Sequence, residues 1–195
     1  ALDVPIVNPP ASQICSGNPV TLTASSVLGT AISYNWYTTI SGGTSIYTGD
    51  TYTTDTINNS SLTDLTRTYY VELTDTGGCR SVRTPAVIVI RPALDVPIVN
   101  PPASVICSGN TVTLTGTSVF GTAVAYNWYD AITGGALLYS GNPYTTDTIV
   151  NNSATDLTRT YFLELIDTAG CKSIRTPAAV VIRPALDVPL VNPLA

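Results

Sequence analysis

Apolar and polar residues alternate along short segments of this chain, and no segment holds apolar residues at helical spacing over three turns. Residues 20–24 alternate in this way. So do residues 68–74, where Tyr69, Val71 and Leu73 fall on one face. A period of two places every second side chain on the same face of a β-strand. The pattern therefore predicts an all-β protein.

The sequence contains two copies of this pattern, with a constant offset of 92 residues and no insertion or deletion between the copies. Three pairs of landmarks share this offset (107 − 15, 128 − 36 and 171 − 79): Cys15 and Cys107, Trp36 and Trp128, and Cys79 and Cys171. A domain-sized period indicates tandem domains, which commonly serve reach, spacing or assembly. The predicted division is repeat 1 at residues 1–92, repeat 2 at 93–184, and the first strand of a third repeat at 185–195.

About seven strands are predicted in each repeat, and we expect them to pair as an Ig-like antiparallel β-sandwich. In repeat 1 they are predicted at residues 4–7, 20–24, 33–37, 44–48, 52–57, 68–74 and 81–90. Trp36 and Trp128 fall on the third strand, where such folds often bury a tryptophan, so core packing is favoured over sugar stacking. Prolines at the junction, among them Pro92 and Pro97, predict a stiff connector and a rod-like array.

Composition narrows the possible functions. The chain is 44% hydrophobic and 11% charged, yet it has no apolar run of the roughly 18 residues that a membrane span needs. The net charge is −5, the only lysine is Lys172, and there is no basic cluster, so binding to nucleic acid is not expected. Because the chain begins with Ala1 rather than Met, we expect a mature or excised fragment, with any targeting segment removed or outside it.

Residues for catalysis and for cofactor binding are scarce. Histidine is absent, which excludes Ser-His-Asp and Cys-His arrangements and histidine metal ligands, and no glycine-rich phosphate loop is present. Carboxylates such as Asp50, Asp55 and Asp64 are too dispersed to nominate an acid/base pair. Asp75 adjoins a glycine turn and could help hold Ca²⁺, but turn formation is the favoured interpretation. We expect no enzyme, no cofactor and no metal site.

The four cysteines come two per repeat, 64 residues apart (79 − 15), unlike the close pairs of zinc sites. They predict disulfides and an extracellular setting. In a seven-strand sandwich Cys15 and Cys79 fall at opposite ends. A strand of six residues spans about 20 Å, and a disulfide needs Cα atoms about 4.4–6.8 Å apart. A head-to-tail array would instead place Cys15 near Cys171.

Two pairings follow from this comparison. The favoured one joins Cys15 to Cys171 between repeats and leaves Cys79 and Cys107 to bond the preceding and following domains of a covalently stapled rod. The alternative joins Cys15 to Cys79 and Cys107 to Cys171 within repeats. A third possibility is that the cysteines are free thiols.

An ordered set of short motifs carries a family resemblance. In repeat 1 the set is Ile14-Cys15-Ser-Gly-Asn, Val20-Thr-Leu-Thr, Tyr34-Asn-Trp-Tyr, Gly42-Gly43, Thr68-Tyr-Tyr-Val-Glu, Gly78-Cys79-Arg-Ser and Arg83-Thr-Pro-Ala-Val. This set resembles the Ig-like repeats of large secreted proteins of Bacteroidota, which occur in gliding-type adhesins and in proteins exported by the type IX secretion system. The resemblance covers nearly all of both repeats. It implies a β-sandwich, a secreted or cell-surface location and a role as spacer, stalk or adhesive module without catalytic residues.

Glycosylation is a further expectation from that resemblance, because Bacteroidota O-glycosylate Thr or Ser in short Asp-Thr/Ser-aliphatic segments. Thr56, Thr148 and Thr168 lie in segments that resemble this pattern, and the alternative is that Thr56 and Thr148 are ordinary strand residues. Asn59 and Asn151 lie in Asn-x-Ser sequons, but their Asn-Asn-Ser context favours a turn.

Two functions remain open at this point. The first is a structural repeat segment of a long surface adhesin or extracellular filament, whose partners are neighbouring repeats or other subunits, with a surface glycan or host ligand as a further possibility. The second is a carbohydrate-binding accessory module of a secreted glycosidase, for which eleven Tyr and two Trp could supply stacking platforms. A binding module should expose a planar row of aromatics, whereas a spacer should bury most of them. Residues 185–195 predict either further repeats or a strand that docks on a neighbouring subunit.

Overall fold

The computed structural model describes residues 2–29 and 31–186. The chain divides into two compact units, Ala1–Ala93 and Leu94–Ala195. The described residues contain strands and no helix, and therefore no helix long and apolar enough to cross a membrane. The prediction of an all-β chain is confirmed. The predicted first strand of a third repeat falls mainly on residues 187–195, which lie outside the described residues.

Each unit is a sandwich of one three-stranded and one five-stranded sheet among its described residues. The strands of the first unit are β1 Ile6–Asn8, β2 Ala11–Cys15, β3 Thr21–Ser25, β4 Ser33–Tyr37, β5 Tyr47–Thr48, β6 Thr51–Thr53, β7 Leu65–Thr74 and β8 Thr84–Arg91. The small sheet has the order β1-β3-β6, and the large sheet has the order β2-β8-β7-β4-β5. This is the two-layer arrangement that the alternating pattern predicts.

The second unit repeats this arrangement. Its strands are β9 Ile98–Asn100, β10 Ala103–Cys107, β11 Thr113–Thr117, β12 Ala125–Tyr129, β13 Leu137–Ser140, β14 Tyr144–Thr145, β15 Leu157–Ile166 and β16 Thr176–Arg183. The sheet orders are β9-β11-β14 and β10-β16-β15-β12-β13, which match those of the first unit strand for strand. The expectation that both copies adopt the same sandwich is confirmed.

One strand per unit is missing from the sequence prediction. The chain leaves the small sheet after β1, passes Pro9 and Pro10, and joins the large sheet as β2, which pairs parallel to β8. Proline has no backbone N–H to donate to a ladder, so two prolines interrupt one extended segment and divide it between the sheets. The sandwich therefore has eight strands and one parallel pairing, rather than seven strands that are all antiparallel.

Two other predicted strands are shorter than expected. Residues 52–57 contribute only β6, because the chain leaves the ladder at Thr54, whose hydroxyl accepts a hydrogen bond from the backbone N–H of Val20 at 3.0 Å. Residues 44–48 contribute only the two residues of β5. Both strands therefore end their pairing before the sequence pattern ends.

The core of each unit lies between its two sheets. In the first unit it is built around Trp36, Leu22, Val71, Ile88 and Ile90, all of which have no exposed side-chain surface. The second unit has the same core at the positions 92 residues later: Trp128, Leu114, Leu163, Val180 and Ile182. Every second residue of the long strands points into this layer, as strand geometry requires.

Candidate functional site

The four cysteines divide into two states. Cys15 and Cys171 are disulfide-bonded, whereas Cys79 and Cys107 are free and exposed. Each bonded cysteine has a free counterpart 92 residues away in the other repeat (107 − 15 and 171 − 79). The sequence identified all four positions as disulfide candidates but could not show that equivalent cysteines would differ in state.

The strand polarity within one unit separates Cys15 from Cys79. Cys15 pairs with Arg91 at the end of β8, while Cys79 precedes Thr84, the first residue of β8. With about 3.3 Å per residue, seven steps along this strand cover about 23 Å. That separation is more than three times the Cα distance of about 6.8 Å that a disulfide tolerates. The polarity argument from sequence is confirmed, and the Cys15–Cys79 alternative is wrong.

The turns that hold Cys79 and Cys171 have the same hydrogen bonds. Asp75 Oδ1 accepts from the backbone N–H of Cys79 at 2.9 Å, and Asp167 Oδ1 accepts from that of Cys171 at 2.8 Å. Gly78 N donates to the Asp75 carbonyl at 3.0 Å, and Gly170 N donates to the Asp167 carbonyl at 3.1 Å. Yet Cys171 is 3% exposed, while Cys79 is exposed. The difference in burial therefore does not arise from the turn itself.

Asp75 and Asp167 have a structural role in these turns. Asp75 Oδ1 also accepts from the backbone N–H of Gly77 at 2.9 Å, so this carboxylate fixes the turn by side-chain hydrogen bonds. Among the described residues, no group of three or more Cys, Asp or Glu side chains lies close enough to hold a metal ion. The turn interpretation of Asp75 is confirmed.

Both tryptophans lie in the core and not on a surface platform. Trp36 and Trp128 have no exposed surface, and their indole N–H groups donate to the carbonyl oxygens of Gly49 at 2.9 Å and Gly141 at 3.2 Å. Buried indoles need such a partner. The predicted core role of both tryptophans is confirmed.

In each repeat a ladder of aromatic rings runs from the buried tryptophan through one tyrosine to a second, half-exposed tyrosine. In repeat 1 the ring of Tyr52 lies 5.7 Å from that of Trp36 and 5.5 Å from that of Tyr47, which is 43% exposed. The equivalent rings in repeat 2 are those of Trp128, Tyr144 and Tyr139, with Tyr139 44% exposed. Each unit thus presents one half-exposed ring of this ladder, whereas a flat stacking platform needs several.

A polar cleft of about 450 Å³ lies beside this ladder in repeat 2. Tyr144, Asp130, Asp147 and Arg159 contribute its polar groups. Burial, followed by the neighbouring Tyr161 and Asp147, raises the pKa of Tyr144 above its usual value, while Arg159 acts in the opposite direction. Repeat 1 has Thr38 where repeat 2 has Asp130, so one of the cleft's two carboxylates is absent there.

The candidate O-glycosylation residues are accessible. Thr56, Thr148 and Thr168 are exposed, and all three lie outside strands. The alternative that Thr56 and Thr148 are ordinary strand residues is therefore wrong. Whether the hydroxyls carry sugar stays a prediction.

The sequon asparagines are structural. Asn59 is 3% exposed, and its Nδ2 donates to the carbonyl oxygens of Thr63 at 2.9 Å and Ile90 at 2.8 Å. Its Oδ1 accepts from the backbone N–H of Ser61 at 3.0 Å and from the Ser61 hydroxyl at 2.7 Å. Asn151 makes the equivalent contacts in repeat 2. Both Nδ2 protons are used, so these side chains hold a loop, as their Asn-Asn-Ser context indicates.

A buried ionic cluster was not identified from the sequence. Glu72, 7% exposed, accepts from Arg83 Nε at 3.3 Å, from Arg80 Nη1 at 3.2 Å and from the Tyr37 hydroxyl at 3.3 Å. The Arg83 guanidinium lies 3.3 Å from the centre of the Tyr37 ring, a cation–π contact. Repeat 2 has the equivalent cluster: Glu164, Arg175, Lys172 and Tyr129. The signal that could have revealed it is the recurrence of Tyr, Glu and Arg at the 92-residue offset.

Arg83 also closes the loop that precedes β5. Its Nη1 donates to the carbonyl oxygens of Thr39 at 2.7 Å and Gly42 at 2.8 Å. These bonds and the contact with Glu72 commit the Nε and Nη1 donors of the guanidinium to groups of the fold. The cluster therefore ties β4, β7 and the loop before β5 to one another.

Comparisons with known proteins place the chain in a family. Residues 3–92 and 95–184 each match the model of the Ig-like domain described as CHU_C associated, and this family is typically non-catalytic and found in extracellular or surface proteins. No curated protein matches the chain.

Among solved structures, the fibronectin(III)-like modules of Clostridium thermocellum CbhA match with 15% identity, 93% of this chain, 94% of that chain and a TM-score of 0.47. Murine CEACAM1b matches with 19% identity, 92% and 98% coverage and a TM-score of 0.38. A Dscam structure matches with 11% identity and a TM-score of 0.35 over 95% of this chain, which spans about half (47%) of that one. The family match alone carries the assignment: the chain consists of two tandem members of the CHU_C-associated Ig-like domain family.

Proposed function

We propose that this chain is a structural segment of a long extracellular protein, an adhesin or filament of Bacteroidota type, in which Ig-like repeats act as stiff spacers. The observation that carries the proposal is the pair of matching sandwiches. In both, residues at equivalent positions build the core and hold the loops. Tryptophans, sequon asparagines and the Glu72–Arg83 pair all lie inside the fold. These residues serve the fold, so the proposed function rests on the repetition of the domain and on its surface.

A disulfide between the repeats is the second part of the proposal. Cys15 and Cys171 are bonded, and their own repeats hold Cys79 and Cys107 as free thiols. The pairing that satisfies these states within one chain joins Cys15 of repeat 1 to Cys171 of repeat 2. Burial of Cys171 in a turn that leaves Cys79 exposed supports a partner from outside that turn. Such a bond would transmit pulling force covalently past both sandwiches.

Force spectroscopy on the 195-residue chain, held by its two ends, tests this function. The proposed bond encloses 156 residues (171 − 15), so about 560 Å of contour length is locked at about 3.6 Å per residue. Without reductant we expect no unfolding step of domain size. With reductant we expect two steps of about 300 Å each, one per sandwich. C15S/C171S should give both steps without reductant, and C79S/C107S is the matched control. Domain-sized steps in the untreated chain would contradict the stapled spacer.

Surface location and glycosylation belong to the same proposal. Thr56, Thr148 and Thr168 are exposed residues outside strands, a setting suited to O-linked sugar in an extracellular protein. Mass spectrometry of the protein recovered from the cells that make it should show the added mass on peptides containing these residues. Loss of that mass in T56A and T148A assigns the sites, and S60A is the control.

A carbohydrate-binding module is the second candidate, and the cleft of repeat 2 is the observation that favours it. Its tyrosine rings, two carboxylates and an arginine are groups that sugars use for stacking and hydrogen bonding. A glycan array probed with the chain tests this function. Binding that is lost in D130A would favour the module over the spacer, and no binding would leave the spacer.

A further inference from the structure

Two exposed thiols occupy positions whose counterparts are bonded. Cys107 ends β10 as Cys15 ends β2, and Cys79 sits in the same hydrogen-bonded turn as Cys171. Cys15 and Cys171 thus show that a cysteine at each of these two positions of the repeat can form a disulfide. The backbone around both thiols is already in the conformation that carries a disulfide elsewhere in the molecule.

We propose that Cys79 and Cys107 join successive copies of the chain, with Cys107 of one copy bonded to Cys79 of a second copy. The inference rests on the proposed Cys15–Cys171 bond. That bond links the end of the second strand in one repeat to the turn before the last strand in the next repeat. Shifting both positions by one repeat gives Cys107 and the next turn cysteine, which in a second copy is Cys79. The partner is therefore another copy of this repeat.

The joining reaction is a thiol–disulfide exchange with a low-molecular-weight or protein disulfide as oxidant. The Cys107 thiolate attacks the oxidant disulfide, forms a mixed disulfide and releases one thiol. The Cys79 thiolate of the second copy then attacks the Cys107 sulfur, forms the joining bond and releases the second thiol. Two protein thiols are oxidised and one oxidant disulfide is reduced to two thiols.

Complementary single variants test the pairing with glutathione disulfide as oxidant. C79S keeps Cys107, and C107S keeps Cys79. One variant is labelled with ¹⁵N, the two are mixed in equal amounts in a glutathione redox buffer, and intact mass separates heterodimers from both kinds of homodimer. We expect heterodimers to form at least about tenfold faster than homodimers, because docking of one copy on the next brings Cys107 and Cys79 together. Exposure of the thiols alone would give no such preference. The wild-type chain should form a ladder of covalent oligomers that reductant collapses.

Controls separate this inference from the function on which it rests. C79S/C107S should stay monomeric, and the same mixture in urea should give the statistical ratio of dimers. A statistical ratio in native buffer, or glutathionylated monomers alone, would overturn the joining of copies. Peptide mapping of the same samples without reductant reads the Cys15–Cys171 bond independently. Its presence beside statistical dimers would contradict only the joining inference, and its absence would contradict the proposed stapling as well.

Discussion

A packing difference between the repeats permits a sharp test of the sandwich core. Repeat 2 has Gly116 on β11 and Leu163 on β15, whereas repeat 1 has Ala24 and Val71 at the equivalent positions. A Cβ added at Gly116 would lie closer to Leu163 Cδ2 than any real contact and 2.9 Å from the Tyr126 ring. The pairs Gly–Leu and Ala–Val thus fill the same space in two ways.

The structure gives the size of each effect. Gly116→Ala forces an overpacked contact worth about 1–3 kcal/mol, from which about 0.5–1 kcal/mol is regained because alanine orders more easily than glycine in a strand. We expect a net loss of about 0–2.5 kcal/mol, centred on about 1 kcal/mol. Leu163→Val removes one buried methylene from a side chain with no exposed surface and should cost about 0.5–1.5 kcal/mol. In the double variant the new methyl group fills the space that Leu163 vacates, so stability should return to near the starting value.

A double-mutant cycle measures this coupling. In a W36F background Trp128 is the only tryptophan, and its fluorescence reports urea unfolding of repeat 2. We expect a coupling free energy of at least about 1 kcal/mol in favour of the double variant. Ala24→Gly with Val71→Leu in repeat 1, read by Trp36 fluorescence in a W128F background, is the reciprocal control. Additive single effects, or a double variant less stable than Gly116→Ala alone, would refute the packing argument.

Three further predictions use the clusters described above. Arg83→Lys should destabilise repeat 1 by about 1–3 kcal/mol in urea unfolding, because lysine loses the stacking on Tyr37 and the forked donors; an equal effect of R80A would contradict this, since Arg80 is 65% exposed. Asn59→Ala should cost about 2–4 kcal/mol by leaving two carbonyls unpaired, whereas N58A, at an exposed position, should be within about 0.5 kcal/mol of wild type. Burial raises the pKa of Tyr52 and of Tyr144, so their contribution to stability is complete below the unfolded pKa of 10.0 and is lost as pH rises through the raised folded values. The urea midpoint of the wild-type chain should fall above pH 10, and that of Y52F/Y144F should fall less. Identical pH profiles of the two chains would contradict this prediction.

The parts of the fold that follow from alternation could be predicted from sequence. Residues 68–74 alternate, and the structure buries Tyr69, Val71 and Leu73 on one face of β7. Period-two burial is a local property of a strand, so the sequence contains it directly. The polarity of the strands was also enough to separate Cys15 from Cys79.

The parts that depend on pairing partners could not be predicted. β2 has a weakly alternating burial pattern because it is an edge strand beside β8, and its parallel pairing involves residues more than seventy positions away. The Glu72–Arg83 pair joins two strands in the same way, and nothing in the local sequence marks a carboxylate as buried. The burial of Asn59 depends on the carbonyl of Ile90, thirty-one residues later.

Comparison of the two repeats separates residues that maintain the fold from residues that define a position in an array. The clusters around Glu72 and Glu164 recur with the same contacts, as a structural requirement of each sandwich predicts. Repeat 1 lacks one of the two carboxylates that line the cleft of repeat 2, which argues against a ligand site that every repeat must keep. The cysteines behave in a third way, because their positions are identical while their oxidation states differ. Positions that are equal in sequence and unequal in oxidation state are what the proposed Cys15–Cys171 bond predicts. The cysteine states therefore support the proposed stapling of repeats, whereas the cleft gives the spacer function no support.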